Sequence, residues 1–298
     1  MSYAYTFMPI KKMYLRNDGG FANRMFRYMF ACHLRSRIEN IDIAGVNLPE
    51  WGLVSEEQEI PYGNSIATGP VHVVNIDKIV ANANSSDVVW LDIDCFAMRL
   101  EYFAYNRQWF KKIFSSGSGK EVADDEIAIH IRTGDILDGI HPDYTPIPIS
   151  CYQDIVRNTG LKPVFIGQVG RNWYTDALRE QFPSARFLCN DILTDFQTIR
   201  QAKNIMIAVS SFSWLAAFLS SSARQIHMPL AGFLNPKQRP DVNLVPMMDE
   251  RYSFHAFPSE QYTASTIQTA ILKSNASKVR PTDKSDGHSY MGLQLKMS

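Results

Sequence analysis

The chain has 298 residues, enough for one large α/β domain or two smaller ones with a real core. Its 30 basic and 30 acidic side chains cancel, which removes any global electrostatic case for binding nucleic acid or an anionic membrane. No apolar run approaches the roughly 20 residues of a membrane span and no charged-then-apolar leader pattern opens the chain, so a cytoplasmic protein with at most peripheral membrane contact is expected.

Cys32, Cys95, Cys151 and Cys189 are widely spaced, form no C-x-x-C pair and lie in apolar stretches. They read as four buried free thiols in a reducing compartment.

In chain order, short apolar runs alternate with amphipathic segments, the pattern of strands feeding helices in a parallel sheet. Met13–Leu15 reads as a strand, Asn17–Gly20 as a polar turn, and Phe21 to Arg37 as an amphipathic helix. Val71–Val74 and Val88–Leu91 are strand candidates, and Glu101 to Phe114 is a helix candidate with aromatics on one face. The polar stretch Ser115–Lys120 is the expected flexible domain junction, giving an N-terminal α/β domain over residues 1–120.

A second α/β series follows over residues 121–273. Its strands are expected at Ile127–Ile131, Val164–Ile166, Asn204–Val209 and Gln225–Met228. Its helices are expected at Ser150–Arg157, Trp173–Phe182, Asp191–Lys203, Phe212–Leu219 and Ser259–Leu272. Residues 274–298 are polar and aperiodic, and read as a loose tail.

Three stretches carry candidate chemistry. The glycine pair Gly19–Gly20 stands between the first strand and first helix, where backbone N–H groups and a helix N-terminus suit a phosphate, with Asn23 in the first turn. The plain alternative is a tight strand-to-helix turn. In His130-Ile131-Arg132-Thr133-Gly134-Asp135 an extended strand projects His130 and Arg132 to one face, at a strand end where open parallel sheets bind ligands. Its plain alternative is a structural ion pair between Arg132 and Asp135. In Val209-Ser210-Ser211-Phe212-Ser213-Trp214 a buried strand ends in hydroxyls at a helix start, which suits phosphate oxygens or routine N-capping.

Taken together and in this order, the three stretches resemble the bacterial α-1,2-fucosyltransferases. That family opens with G-G-x-G-N-Q-M-F-Q-Y, ends a strand with H-x-R-R-G-D, and carries S-S-F-S-W-W in its C-terminal third. The corresponding residues here are Gly19-Gly20-Phe21-Ala22-Asn23-Arg24-Met25-Phe26-Arg27-Tyr28, His130–Asp135 and Ser210-Ser211-Phe212-Ser213-Trp214-Leu215. Pro148-Ile149-Ser150-Cys151-Tyr152 is similar to the family's P-L-S-Y-Y. Ala22 departs from a glycine, Arg24 and Arg27 from glutamines, Thr133 from the second arginine and Leu215 from the second tryptophan. Arg132, common to the wider superfamily that includes α-1,6- and protein O-fucosyltransferases, is kept.

The resemblance implies an α/β, GT-B-like fold of two Rossmann-like domains with a cleft between them. The first would lie on the acceptor side, and the second would bind a GDP-sugar. It further implies inverting, metal-independent transfer of fucose from GDP-fucose to a glycan acceptor, lipid-linked or free, with no cofactor beyond the donor substrate. Without a metal, the departing diphosphate needs a guanidinium and oriented N–H donors. Arg132 is then the diphosphate ligand and His130 orients the loop or donor. Gly19, Gly20 and Asn23 approach the diphosphate or sugar, while Ser210, Ser211 and Phe212 hold phosphate and nucleoside. Asp18 and Asp135 are the two carboxylates available as a base.

Two other readings stand beside this one. Asp92-Ile93-Asp94 follows an apolar run, as the D-x-D of metal-dependent glycosyltransferases does, and would place both carboxylates on one side of a strand. A non-catalytic glycan- or nucleotide-binding relative would account for the departures at Ala22, Arg24 and Thr133. Lys11, Lys12, Arg16, Arg24 and Arg27 crowd the first strand and helix and offer a basic patch for peripheral membrane contact.

Overall fold

The structure, a computed structural model, describes residues 11–55, 65–85, 90–139, 143–256, 271 and 277–279. The chain divides into two compact units, Met1–Phe114 and Ser115–Ser298. Both are built on parallel sheets, the α/β class expected from the alternating pattern.

The first unit runs β1 (Lys11–Leu15), α1 (Phe21–Arg35), β2 (Ile41–Ala44), β3 (Asn47–Leu48), β4 (Leu53–Val54), β5 (Ser65–Ala67), α2 (Ile76–Asn84), β6 (Trp90–Ile93) and α3 (Arg107–Ile113). Its main sheet has the order β2-β1-β6-β5, parallel throughout, and β3 and β4 form a separate antiparallel pair. Met25, Phe26, Met29, Phe30 and Leu34 recur at helical spacing on α1 and are fully buried, with Phe26 on Phe103 (5.5 Å) and Phe30 on Tyr102 (5.0 Å). Each such side chain contributes roughly 1.5–3 kcal/mol on burial.

The same packing explains two departures from the expected elements. Only residues 107–113 of the expected Glu101–Phe114 helix are α-helical. Two 3₁₀ turns precede them, because Phe103 leaves helical dihedrals (φ −146°, ψ −9°) to bury its ring against α1. Val71–Val74 is not a strand: Val71 and Val73 are exposed, and the backbone of Val74 pairs with the Tyr102 hydroxyl instead of a neighbouring chain. Val88 and Val89 lie outside the described residues, and the strand expected there covers Trp90–Ile93.

The second unit runs β7 (Glu126–Ile131), α4 (Gly134–Leu137), α5 (Ile149–Thr159), β8 (Lys162–Gly167), α6 (Trp173–Gln181), β9 (Arg186–Leu188), α7 (Ile192–Gln201), β10 (Asn204–Met206), α8 (Ser211–Phe218), β11 (Gln225–Leu230), β12 (Tyr252–Ala256) and β13 (Ser277–Val279). The sheet order is β13-β12-β11-β10-β7-β8-β9, with all pairings parallel except that of β13 with β12. Numbered along the chain from β7, the parallel strands follow the spatial order 3-2-1-4-5-6 of the doubly wound dinucleotide-binding sheet. The central strand β7 is buried at every position, as a strand covered on both faces must be. Asn172, Asp191 and Ser210 cap α6, α7 and α8 with their side chains.

The expected junction is not loose. Within the second unit, the Ser116 carbonyl accepts from Gln197 (2.6 Å), and the Lys120 N–H donates to Thr198 (2.8 Å). Those α7 partners tie the polar stretch down. β13 likewise lies inside the stretch expected to be an aperiodic tail, where pairing with β12 supplies the order that side-chain periodicity does not. The expected Ser259–Leu272 helix lies outside the described residues, apart from helical, buried Ile271. The cysteines are free, yet Cys189 is exposed and Cys32 only partly covered.

Candidate functional site

In a doubly wound sheet, ligands bind beyond the carboxyl ends of the strands where the strand order reverses. In the second unit that point lies between β7 and β10, and the two motif-bearing segments of this unit both end there. β7 leads into Arg132 and Thr133, and β10 leads through Val209 into Ser210 and α8. His130 and Phe212 meet across the gap, with ring centroids 5.3 Å apart, and Phe212 packs in turn on Phe196 (5.4 Å).

His130 is buried, and its enclosed Nδ1 has no hydrogen-bond partner among the described residues. Burial, and secondarily the Arg132 charge, pushes its pKa down to about 3. The imidazole is therefore neutral at neutral pH, fit to donate or accept one hydrogen bond and unfit to carry a charge. Gly167 makes room for it. A Cβ there would come within 3.0 Å of the His130 ring and 2.8 Å of the Ile131 carbonyl, and its φ of +105° suits only glycine.

Arg132 is partly exposed. It lies over the Tyr144 ring at 4.5 Å and donates from Nη2 to both oxygens of Asp135 (3.2 and 3.3 Å). Among the described residues its Nε and Nη1 make no hydrogen bond, so one edge of the fork is open to an acceptor. Thr133, which stands where the related motif has a second arginine, is buried. Its N–H donates to Gln168 Oε1 (2.8 Å) and its hydroxyl to the Gln168 carbonyl (3.0 Å), fixing the turn after β7.

Ser210 Oγ accepts from the Phe212 N–H (3.3 Å), so this hydroxyl serves as the cap of α8. Ser213 Oγ meets the Ala208 N–H (3.1 Å), and Trp214 Nε1 donates to the Leu244 carbonyl (2.7 Å). Ser210 Oγ, Ser213 Oγ and Trp214 Nε1 are thus all bonded within the protein. Ser211, at the first turn of α8, is nearly buried. Tyr152 belongs to the core, bonded to the Tyr174 hydroxyl (3.2 Å).

In the first unit the central strands β1 and β6 also end side by side. Gly19 has φ +90°, and a Cβ on it would meet Asn23 and Phe96 at 3.2 Å, so the turn requires glycine. Gly20 differs: its φ is −72° and nothing lies within 4 Å of an added Cβ. It caps α1 without a side-chain acceptor, and among the described residues the buried Asn23 Oδ1 in the first turn has no partner.

Arg27 is the organising side chain of this turn. Buried to 1% exposure, it donates to the carbonyls of Arg16 (2.7 Å), Asp18 (2.6 Å) and Asp94 (3.0 Å) and lies over Phe96 at 4.5 Å. It also pairs with the Asp18 carboxylate (2.8 Å), and that hydrogen bond holds the Asp18 carboxyl below its usual range. Asp18 is thus an ionised, weak base, and Asp135 is engaged with Arg132.

Asp92 and Asp94 are held by arginines as well. Arg16 donates to Asp92 from Nη2 (2.7 Å) and Nε (3.2 Å) and stands 3.5 Å from Asp94. Arg16 thus pairs with both carboxylates of the D-x-D. Among the described residues no group of three or more metal-ligating side chains comes together.

The five cations expected to form a surface patch are each engaged. Lys11 bonds the Ala83 carbonyl, Lys12 pairs with Asp42 (3.9 Å), and Arg24 reaches the Asn47 carbonyl and Glu50. Arg16 and Arg27 hold the aspartates. Among the described residues no helix is long and apolar enough to cross a membrane.

Sequence reasoning missed Gln168, Gly167 and Tyr144, and it assigned Arg16 to a basic patch instead of to Asp92. Gly167-Gln168 directly after a strand, and Arg16 directly after another, were visible signals of a strand-end site. Tyr144 lies in an aperiodic loop and offered none.

No family model matches the chain, and no curated protein matches its sequence. Among solved structures the chain is similar to that of E. coli heptosyltransferase WaaC with ADP, at 10% sequence identity and a TM-score of 0.47, over 87% of this chain and 98% of that one.

Proposed function

We propose that this chain is a glycosyltransferase of the fucosyltransferase type, moving fucose from GDP-fucose to a hydroxyl of a glycan acceptor with inversion. The observation that carries the reading is Arg132. It stands at the carboxyl end of the central strand of a doubly wound sheet, beside the His130–Phe212 contact that joins the second and third motifs, and among the described residues its Nε and Nη1 make no hydrogen bond.

The reaction breaks the bond between the anomeric carbon and the β-phosphate oxygen while the acceptor oxygen bonds that carbon from the opposite face. GDP departs with the bonding electron pair, and the acceptor proton leaves to solvent or a carboxylate. A planar guanidinium with an open edge suits two oxygens of the departing diphosphate. Neutral His130 and the capped start of α8 stand beside it in the second unit. The two candidate carboxylates, Asp18 and Asp135, are each bound to an arginine of their own unit, so the mechanism leans on stabilising the leaving group more than on a strong base.

The pairing of Arg16 with Asp92 supports metal-independent transfer over a D-x-D mechanism. A nucleotide panel tests the reading. GDP should raise the melting temperature above UDP and CMP, since saturation at 100 Kd stabilises by about 2.7 kcal/mol. GDP-fucose turnover should then persist in excess EDTA. Preference for UDP, or activity abolished by EDTA and restored by Mn²⁺, would overturn it.

A further inference from the structure

The open edge of Arg132 has a counterpart on its other side. Its face lies on Tyr144 (4.5 Å), and Tyr144 lies on Phe233, with centroids 5.1 Å apart. Phe233 belongs to a 3₁₀ turn, Gly232–Leu234, directly beyond the carboxyl end of β11. The residue before Tyr144 is bound to this same region twice. The Asp143 carbonyl accepts from the Phe233 N–H (2.9 Å), and its carboxylate accepts from Arg239 Nη1 (2.8 Å). Arg239 spends its other two nitrogens on Asp241 (2.9 and 2.7 Å), and its own N–H donates to the Asn235 carbonyl (2.9 Å), so its fork is fixed at both ends. Gly232 permits the approach: a Cβ there would lie 2.1 Å from the Asp143 carbonyl oxygen.

This bracing is built at partly exposed side chains, where an ion pair adds little to stability. What it does secure is position. A cation held by its face on an aromatic ring keeps its plane while its in-plane N–H groups remain free to change partners. Asp135 engages Nη2 alone, and a diphosphate arriving at the open edge need not disturb the stack.

Resting on the proposed function, we propose that Tyr144 is the platform that holds the Arg132 guanidinium by its face. Arg239, acting through Asp143, is the positioning residue that keeps this platform in place for diphosphate recognition.

The test has a ligand-free arm and a donor arm. In the first, the Nε–H resonance of Arg132 is assigned by its loss in Arg132→Lys and followed in the variants. The ring current of Tyr144 should shift it upfield. That shift should survive Tyr144→Phe, vanish in Tyr144→Leu, and shrink in Arg239→Ala and in Asp143→Asn, which serves as the second variant should Arg239→Ala fold poorly. An unchanged Arg132 resonance in folded Arg239→Ala or Asp143→Asn overturns the positioning role, whatever the donor is.

In the second arm, GDP-fucose kinetics of Arg239→Ala should show kcat lowered on the order of tenfold or more, as a misplaced catalytic group predicts. Rescue by Arg239→Lys should be partial, since a lysine reaches Asp143 or Asp241 but not both through a planar fork. Full kcat in Arg239→Ala overturns the proposal. Failure of the wild-type chain to respond to any guanine nucleotide overturns the fucosyltransferase reading instead, and leaves the resonance arm to decide the bracing.

Discussion

The His130 imidazole packs on the Phe212 ring at 5.3 Å, with planes inclined by 34°, and this contact joins the end of β7 to the start of α8. Because the His130 ring is buried, the imidazole cannot take up a proton without placing an unsolvated charge in the interior. Its pKa falls to about 3 in the folded state, against an ordinary value near 6.5. The unfolded chain therefore binds a proton over this window and the native state does not. The associated stability is complete above about pH 6.5 and is lost as the pH falls from there toward 3. The loss amounts to at most about 1.4 kcal/mol per pH unit. Urea unfolding at pH 7 and pH 5 should show a smaller drop for His130→Phe than for wild type, and equal drops would contradict the buried neutral imidazole.

Arg132→Ala should remove about 3 kcal/mol or more of transition-state stabilisation, by analogy with the loss of an oxyanion donor. Arg132→Lys should restore little, because an ammonium neither stacks flat on Tyr144 nor offers two parallel donors. Steady-state kinetics with GDP-fucose measures both. Near-wild-type turnover by Arg132→Ala would sink the assignment.

Arg27 closes the turn in the first unit by satisfying three carbonyls from within the protein. Arg27→Met should cost roughly 3–5 kcal/mol, the range for breaking a buried charged network by removing one partner. Equilibrium denaturation would register it as a lower midpoint with an unchanged slope.

The two glycines of that turn should behave differently. Gly19→Ala forces a side chain into the left-handed region against Asn23 and Phe96, and should destabilise by more than about 1 kcal/mol. Gly20→Ala meets no atom within 4 Å and should leave stability unchanged. Thermal melts of the pair give the comparison, and equal melting temperatures would contradict the turn geometry.

The stretch from Ser115 to Lys120 should resist proteolysis, since α7 holds it through Gln197 and Thr198. Thr198→Val removes the acceptor for the Lys120 N–H, a loss of about 0.5–1.5 kcal/mol for one hydrogen bond at an exposed residue. Limited trypsin digestion should cut after Lys120 sooner in this variant than in wild type. Rapid wild-type cleavage there would contradict the bracing.

Local sequence determined the elements whose signals are short-range. Alternating apolar runs placed β1, β7, β8 and β11, while Asp191 and Ser210 announced the starts of their helices through side-chain capping. The His130–Asp135 and Ser210–Trp214 segments were recognisable as strand ends carrying polar groups, since the backbone period and residue type suffice for that.

Tertiary structure alone decided the strand order, and with it that both segments converge on the one point where the sheet reverses direction. It also decided where the charges go. Arg16 and Arg27 could have faced a ligand, solvent or a membrane, yet the buried Arg27 guanidinium demands partners, which strand-end carbonyls supply, and the exposed Arg16 pairs with the buried Asp92. Tyr144 and β13 were unreadable for the same reason: a loop ring finds a cation, and a short edge strand finds its neighbour, only after the long-range packing has brought them together.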